Sequence, residues 1–176
     1  MHRVVSIGVG LLSFLGVFSA AALLFQPSLE TLSKHTMRKL PGVENVSIAQ
    51  FLKMNRTSLL LLDARSIEEF EVGRIPGAIW VDPEIEESVF KQRYAARLKN
   101  KNIVFYCSVG RRSSQLIEKL QGTMKDMGAS KVSNLNGGIF NWANQGLEIE
   151  GGKIHPYNAY WGRLIQDKSK ISYRPF

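Results

Sequence analysis

Cys107 is the only cysteine in the chain, and it stands where an apolar run meets a polar one. Ile103-Val104-Phe105-Tyr106 precede it, and Ser108-Val109-Gly110-Arg111-Arg112-Ser113 follow. A lone cysteine is most often a small buried hydrophobe, but three features here point to a nucleophile. The apolar run predicts a buried strand, and open α/β sheets hold their ligands at the carboxyl ends of such strands. A helix is predicted to start just behind the cysteine, so unpaired backbone N–H groups and the positive end of the helix dipole face the sulfur. Arg111 and Arg112 add positive charge. All three favour thiolate, the nucleophilic form, over thiol. Gly110 lets the backbone turn and approach closely.

The same stretch has no His or Asn partner legible in the sequence, of the kind a cysteine protease needs. A site that stabilises negative charge without a general base suits a thiolate that attacks and then carries the charge itself. Sulfur transfer is chemistry of this type. The thiolate accepts a sulfane sulfur, becomes a persulfide anion cradled by loop amides, and yields that sulfur to a second nucleophile.

The elements that must position this loop can be read from the flanking sequence. Leu59-Leu60-Leu61-Leu62, ending at Asp63, is a continuous apolar run that fits a strand buried on both faces of a parallel sheet. Asn102 to Tyr106 and Lys131 to Leu135 predict further strands, and 79–81 a short one. Ser47-Ile48-Ala49-Gln50 and Ser66-Ile67-Glu68-Glu69 have capping-box spacing, each opening a helix; Gly73 ends the second. Val89, Phe90, Tyr94 and Leu98 recur at helical spacing, acidic before and basic after, as the helix dipole prefers. Leu116, Ile117, Leu120, Met124 and Met127 mark one face of a helix that Gly122 is expected to interrupt and Gly128 to close. Gly137-Gly138 predicts a tight turn before a short helix over 139–145. Strands alternate with helices, which predicts an α/β domain with a central, mainly parallel sheet flanked by helices.

Both ends of the chain read differently. Residues 4–25 hold 22 positions with no charge, about 33 Å as a helix against a bilayer core of about 30 Å. The stretch is read as a membrane anchor, or as an export signal with Ala20-Ala21-Ala22 resembling a cleavage site. Lys34, Arg38 and Lys39 after the span lean toward a domain facing the cytoplasm; a cleaved signal would instead export it. Segment 1–26 is therefore set apart, 27–43 reads as a tether with Pro27, Pro41 and Gly42 as breakers, and 44–150 as the domain. In 151–176, Tyr157, Tyr160, Trp161, Leu164 and Ile165 have the spacing of an amphipathic helix beginning near Pro156. It would pack on the domain, or dock to a partner or membrane surface.

Composition bounds the rest. A chain of 176 residues with 44% hydrophobic and 22% charged residues is an ordinary globular protein. One cysteine excludes an internal disulfide, and His2, His35 and His155 are scattered, so neither a metal nor a cofactor is expected. The net charge of +8 suits solubility, or attraction to an anion or an anionic membrane. The basic residues lack the interleaved aromatics of an RNA-binding sheet, so nucleic acid is not an expected partner.

Cys107-Ser108-Val109-Gly110-Arg111-Arg112-Ser113 resembles the C-x-x-G-x-R-S active loop of the rhodanese sulfurtransferases. Asp63-Ala64-Arg65, Glu69-Phe70 and Gly73-Arg74-Ile75-Pro76-Gly77-Ala78 resemble that family's D-x-R, E-[FY] and G-H-I-P-G-A stretches, and Gly137-Gly138-Ile139, Trp142 and Gly146 its G-G-x-x-x-W-x-x-x-G. The ordered matches run from about Val43 to Glu150. The resemblance implies Cys107 as sulfur acceptor, a small sulfur-donor anion and a thiol acceptor as partners, and no cofactor. It implies that Arg112 and Ser113 structure the loop while the amides from Ser108 through Val109 and Gly110 hold the persulfide. It implies Asp63 and Arg65 as supports, with Arg65 touching substrate; the residues alone also allow a surface ion pair between Arg65 and Glu69. Arg74 stands where the family usually has His, and is expected to be structural. Arg111 fills a variable slot and is expected to help admit an anionic donor such as thiosulfate.

Two alternatives remain at this level. Phosphatases that share the fold use five residues between Cys and Arg, whereas four separate Cys107 from Arg112; the shorter loop suits a single sulfur better than a phosphate. A non-catalytic binding module of the same fold would usually lose the cysteine that this chain keeps.

Overall fold

Leu59–Asp63 and Asn102–Tyr106 pair in parallel at the middle of a five-stranded sheet. Their side chains alternate between two cores. Leu60, Leu62, Ile103 and Phe105 face one, with Phe90, Leu98, Ile117 and Leu120. Leu61, Val104 and Tyr106 face the other, with Phe51, Ile139, Phe140 and Trp142. Burial on both faces is why these runs are continuously apolar. Each fully buried Leu or Phe contributes roughly 1.5–3 kcal/mol.

The structure, a computed structural model, describes residues 27–175. Its elements in chain order are α1 (Leu29–Lys39), β1 (Asn45–Val46), α2 (Ile48–Leu52), β2 (Leu59–Asp63), α3 (Ile67–Val72), β3 (Ile79–Trp80), α4 (Glu87–Leu98), β4 (Asn102–Tyr106), α5 (Arg111–Asp126), β5 (Lys131–Leu135), α6 (Gly138–Asn144) and the single turn α7 (Ala159–Gly162). Short 3₁₀ turns cover Arg56–Ser58 and Lys168–Lys170. The strand order is β1-β5-β4-β2-β3, with every pairing parallel. From β2 the chain moves outward to β3 and then returns to the opposite side of β2 as β4. The carboxyl ends of β2 and β4 therefore sit at the point where the strand order reverses, the usual ligand crevice of such sheets. Both capping boxes form, at Ser47 with Gln50 and at Ser66 with Glu69.

Three expectations are corrected. The tether of 27–43 is largely the helix α1. Ser28 caps it by accepting from the Thr31 N–H, with Glu30 in its first turn and Arg38 and Lys39 in its last. Pro27 and Pro41-Gly42 punctuate that helix; they do not mark a linker. Gly122 does not interrupt α5, which runs unbroken through it; tertiary burial of Leu116, Ile117, Leu120 and Met124 outweighs the roughly 1 kcal/mol cost of one glycine. The tail is no long amphipathic helix. Asn158 caps the one turn of α7, and Tyr157 before it has φ +67°, outside the helical region. Ile154 and Ile165 are nonetheless fully buried, and Trp161 and Leu164 pack on the same core. Residues 4–25, read as an anchor or signal, lie outside the described residues; among those described, no helix is long and apolar enough to cross a membrane.

Candidate active site

β4 delivers Cys107, whose residue is 1% exposed. Gly110, at φ +92°, turns the chain into α5 and serves as its N-terminal cap. In that turn the Gly110 N–H donates to Cys107 Sγ at 3.2 Å. The loop is held from below by α6: the Ile139 and Phe140 N–H groups donate to the Cys107 and Ser108 carbonyls at 2.9 and 3.1 Å. A Cβ on Gly138 would lie 2.1 Å from the Cys107 carbonyl oxygen. Only glycine admits this approach, which accounts for Gly138 in the Gly137-Gly138 pair.

The side of the loop is braced by Glu69, itself only 1% exposed. Arg112 donates to both of its carboxylate oxygens, at 2.7 and 2.8 Å, and Ser108 Oγ donates at 2.9 Å. The Ser66 N–H donates to Glu69 Oε2 at 3.1 Å. One carboxylate thus caps α3 and fixes the active loop. Burial pushes the Glu69 carboxyl up, but the hydrogen bonds and charge of Arg112, with the nearby Arg65, outweigh it and hold the group below the ordinary carboxylate value. On the opposite flank, Ser113 Oγ donates to Asn134 Oδ1 at 2.6 Å, and Asn134 Nδ2 donates to Asn45 Oδ1 at 2.8 Å. This chain of bonds ties α5 to β5 and β1.

Asp63 and Arg65 form a strut behind the loop. Arg65 is 0% exposed; it donates through Nε and Nη2 to Asp63 and through Nη2 to the Gly73 carbonyl. Burial disfavours its charge, but the Asp63 carboxylate outweighs burial and keeps it protonated. The surface ion pair of Arg65 with Glu69 that the residues alone also allow is not formed: Asp63 takes Arg65, and Glu69 takes Arg112. Arg65 is enclosed, not on the rim, because Gly73 and Tyr106 pack over it.

The structure therefore brings Cys107, Ser108, Gly110, Arg112 and Ser113 into one knot. Val109 turns inward to the core, and Arg111 projects to solvent. Arg74 pairs with Glu150 and lies over the Phe70 ring, fastening the turn after α3 to the end of the domain. Three functional neighbours escape the sequence reading. Glu69 is legible as a cap and a motif residue but not as the loop's brace. Asn134 has no local signal. Tyr157 arrives from the tail, its ring 5.4 Å from the Arg112 guanidinium.

A family model described as a rhodanese-like domain matches residues 47–145. A protein named sulfurtransferase from Allochromatium vinosum is 32% identical over 107 residues, 61% of this chain and 92% of its own length. A tRNA uridine(34) hydroxylase from Cytophaga hutchinsonii is 32% identical over 127 residues, 70% of this chain and 38% of its own length. This chain therefore spans well under half of that relative. Among solved structures, a thiosulfate sulfurtransferase from Pseudomonas aeruginosa superposes with a TM-score of 0.53 and 16% identity, over 80% of this chain and 27% of that one; at this identity the likeness shows the fold alone.

Proposed function

Because the chain belongs to the rhodanese-like domain family, we propose that it is a sulfurtransferase working through a persulfide on Cys107. The observation that carries this reading is the Gly110 N–H aimed at Cys107 Sγ inside a braced, nearly closed loop. The Cys107 thiolate attacks the sulfane sulfur of a small anionic donor such as thiosulfate. The bond between that sulfur and the sulfite group breaks, and its electron pair leaves on sulfite. The negative charge then rests on the terminal sulfur of the persulfide, where the loop amides from Ser108 to Gly110 stabilise it. A thiol or cyanide acceptor attacks that terminal sulfur, and the electron pair of the cleaved S–S bond returns to Sγ. No general acid is required, because each leaving group departs as an anion; a thiol acceptor attacks as its thiolate, its proton lost to solvent.

Arg112 and Ser113 position the loop, Asp63 and Arg65 support it from behind, and the exposed Arg111 admits the donor anion. The phosphatase reading is disfavoured by a specific contact. Arg112, which would have to face a phosphate, is engaged by both oxygens of Glu69 and by Ser108. The relative named as a sulfurtransferase is matched over nearly all of its length and is the better guide to this domain than the much longer hydroxylase. We also propose that residues 4–25 anchor the domain at a membrane. A mature protein beginning at Met1 in the membrane fraction supports this, and a start near Leu23 would show a cleaved signal instead.

Intact-mass analysis after thiosulfate treatment tests the activity. The expected result is a gain of one sulfur, removed by cyanide and absent in Cys107→Ser. A protein that gains no sulfur from any sulfane donor would be a binding module of this fold.

A further inference from the structure

A cavity of about 330 Å³ lies against the active loop, at the lower end of the roughly 300–1,000 Å³ typical of small-ligand sites. Val109, two residues from Cys107, forms part of its wall. His35 and Lys39 of α1 and Arg111 of α5 line it with cationic or protonatable groups, and Leu32, Leu40 and Trp161 line it with apolar surface. Among the described residues no carboxylate lines it. Among the described residues neither Lys39 nor Arg111 has an ion-pair partner, although Lys34, Lys91 and Lys131 all do. Of the nine residues that line it, Val109, Arg111 and Gln115 fall within the matched domain, residues 47–145, and the other six come from 32–40 and the tail. The cavity is thus something that α1 and the tail add to the domain.

We propose that this cavity binds the sulfur acceptor, and that the acceptor is a small organic thiol carrying a carboxylate and an aromatic body. The proposal rests on the sulfurtransferase reading and specifies its second substrate. A carboxylate would be drawn to Lys39 and Arg111, which have no ion-pair partner among the described residues. An aromatic body would lie against the Trp161 indole and the two leucines. Thiosulfate and cyanide have no apolar part and would leave that wall unused. With its proton lost to solvent, the acceptor's thiolate attacks the terminal sulfur of the Cys107 persulfide. The S–S bond to Sγ breaks, its electron pair stays on Sγ, and the terminal sulfur departs as the acceptor's own persulfide. Atoms and charge balance with no further reactant.

The test has a binding arm and a turnover arm, both on the full chain. In the first, 3-phenylpropionate, which lacks a thiol, is titrated while the indole N–H resonances of the three tryptophans are followed; Trp161→Phe assigns the one from the tail. A saturable shift of the Trp161 resonance is expected. Lys39→Gln should weaken binding about fivefold, the upper range for one exposed ion pair, and 3-phenylpropanol should bind more weakly than the carboxylate by a similar factor. In the second, chain loaded with sulfur from thiosulfate is offered 4-mercaptophenylacetate or 2-mercaptoethanol. The rate ratio of the two thiols, taken within each variant so that loading cancels, should favour the carboxylated thiol and fall in Lys39→Gln and Trp161→Ala. An unmoved Trp161 resonance, or equal affinity in wild type and Lys39→Gln, overturns the proposal. If Cys107 accepts no sulfur the sulfurtransferase reading fails, and the binding arm still decides whether the cavity holds such an anion.

Discussion

Replacing Glu69 with glutamine keeps the shape of the brace and removes its charge. In the wild type the buried carboxylate accepts two hydrogen bonds from Arg112, one from Ser108 and one from the Ser66 N–H. Hydrogen bonds to a charged group contribute roughly 1.5–3 kcal/mol each. The substituted glutamine can still accept from Ser66 or Ser108 but must turn its amide N–H groups toward a guanidinium that only donates. The Arg112 side chain is 30% exposed, so solvent recovers part of that loss. The expected destabilisation is about 2 kcal/mol at pH 7, read from urea unfolding. The folded carboxyl titrates below its ordinary value of 4.5. Between the two values the unfolded chain binds more protons than the folded one, so wild-type stability falls as pH drops below about 4.5. The variant has no such group, so its deficit should shrink across that window and be smallest below the folded value. A deficit at pH 7 under about 0.5 kcal/mol, within the range of ordinary surface changes, would refute the bracing role, as would a deficit that stays constant from about pH 7 to about pH 3. Loading of Cys107 with sulfur should also slow in the variant, because Ser108 and Arg112 lose their common anchor.

Gly138→Ala should cost at least roughly 2 kcal/mol, because φ +58° and a Cβ 2.1 Å from the Cys107 carbonyl both oppose it. Thermal unfolding and sulfur loading should fall together; a variant with wild-type loading would show that the loop tolerates being pushed off α6. Gly122→Ala should do the opposite: a Cβ there meets nothing within 4 Å, and alanine in a helix interior is favoured by about 0.5–1 kcal/mol, so Tm should rise by about 2–3 °C. A fall in Tm would mean that α5 needs the glycine for a reason its surroundings do not show. Arg111→Ala should raise KM for thiosulfate about two- to fivefold with kcat little changed, the effect of removing one exposed attraction. An unchanged KM in initial-rate assays would remove Arg111 from donor entry.

Much of the fold and the core of the site can be read directly from the residues. The continuous apolar runs at Leu59–Asp63 and Asn102–Tyr106 are strands because burial on both faces of a sheet leaves no polar side. The capping boxes at Ser47 and Ser66 are interactions over three residues, and both form. The cysteine loop is likewise compact: strand end, Gly110 turn and helix start all lie within a few positions of Cys107, so their spacing alone locates a candidate site. The tertiary structure decided matters that depend on which distant segments meet. Glu69 had two arginines to choose from. Parallel pairing of β2 with β4 sets α3 beside the loop, so Arg112, 43 residues away, takes it, and Arg65 falls to Asp63. Asn134 joins the site only because β5 lies next to β4. Helix α1 reads as a tether, since Leu29, Leu32 and Met37 are its only apolar residues and its packing against α5 and the tail is long-range. Tyr157 reaches Arg112 only because the tail folds back, which no local pattern encodes. Local chemistry therefore marked Cys107 as the candidate nucleophile at a strand end. Topology, by bringing Glu69, Arg112 and Ser108 together at its loop and setting α1 and Trp161 against Val109 and Arg111, decided how that loop is braced and what surrounds it.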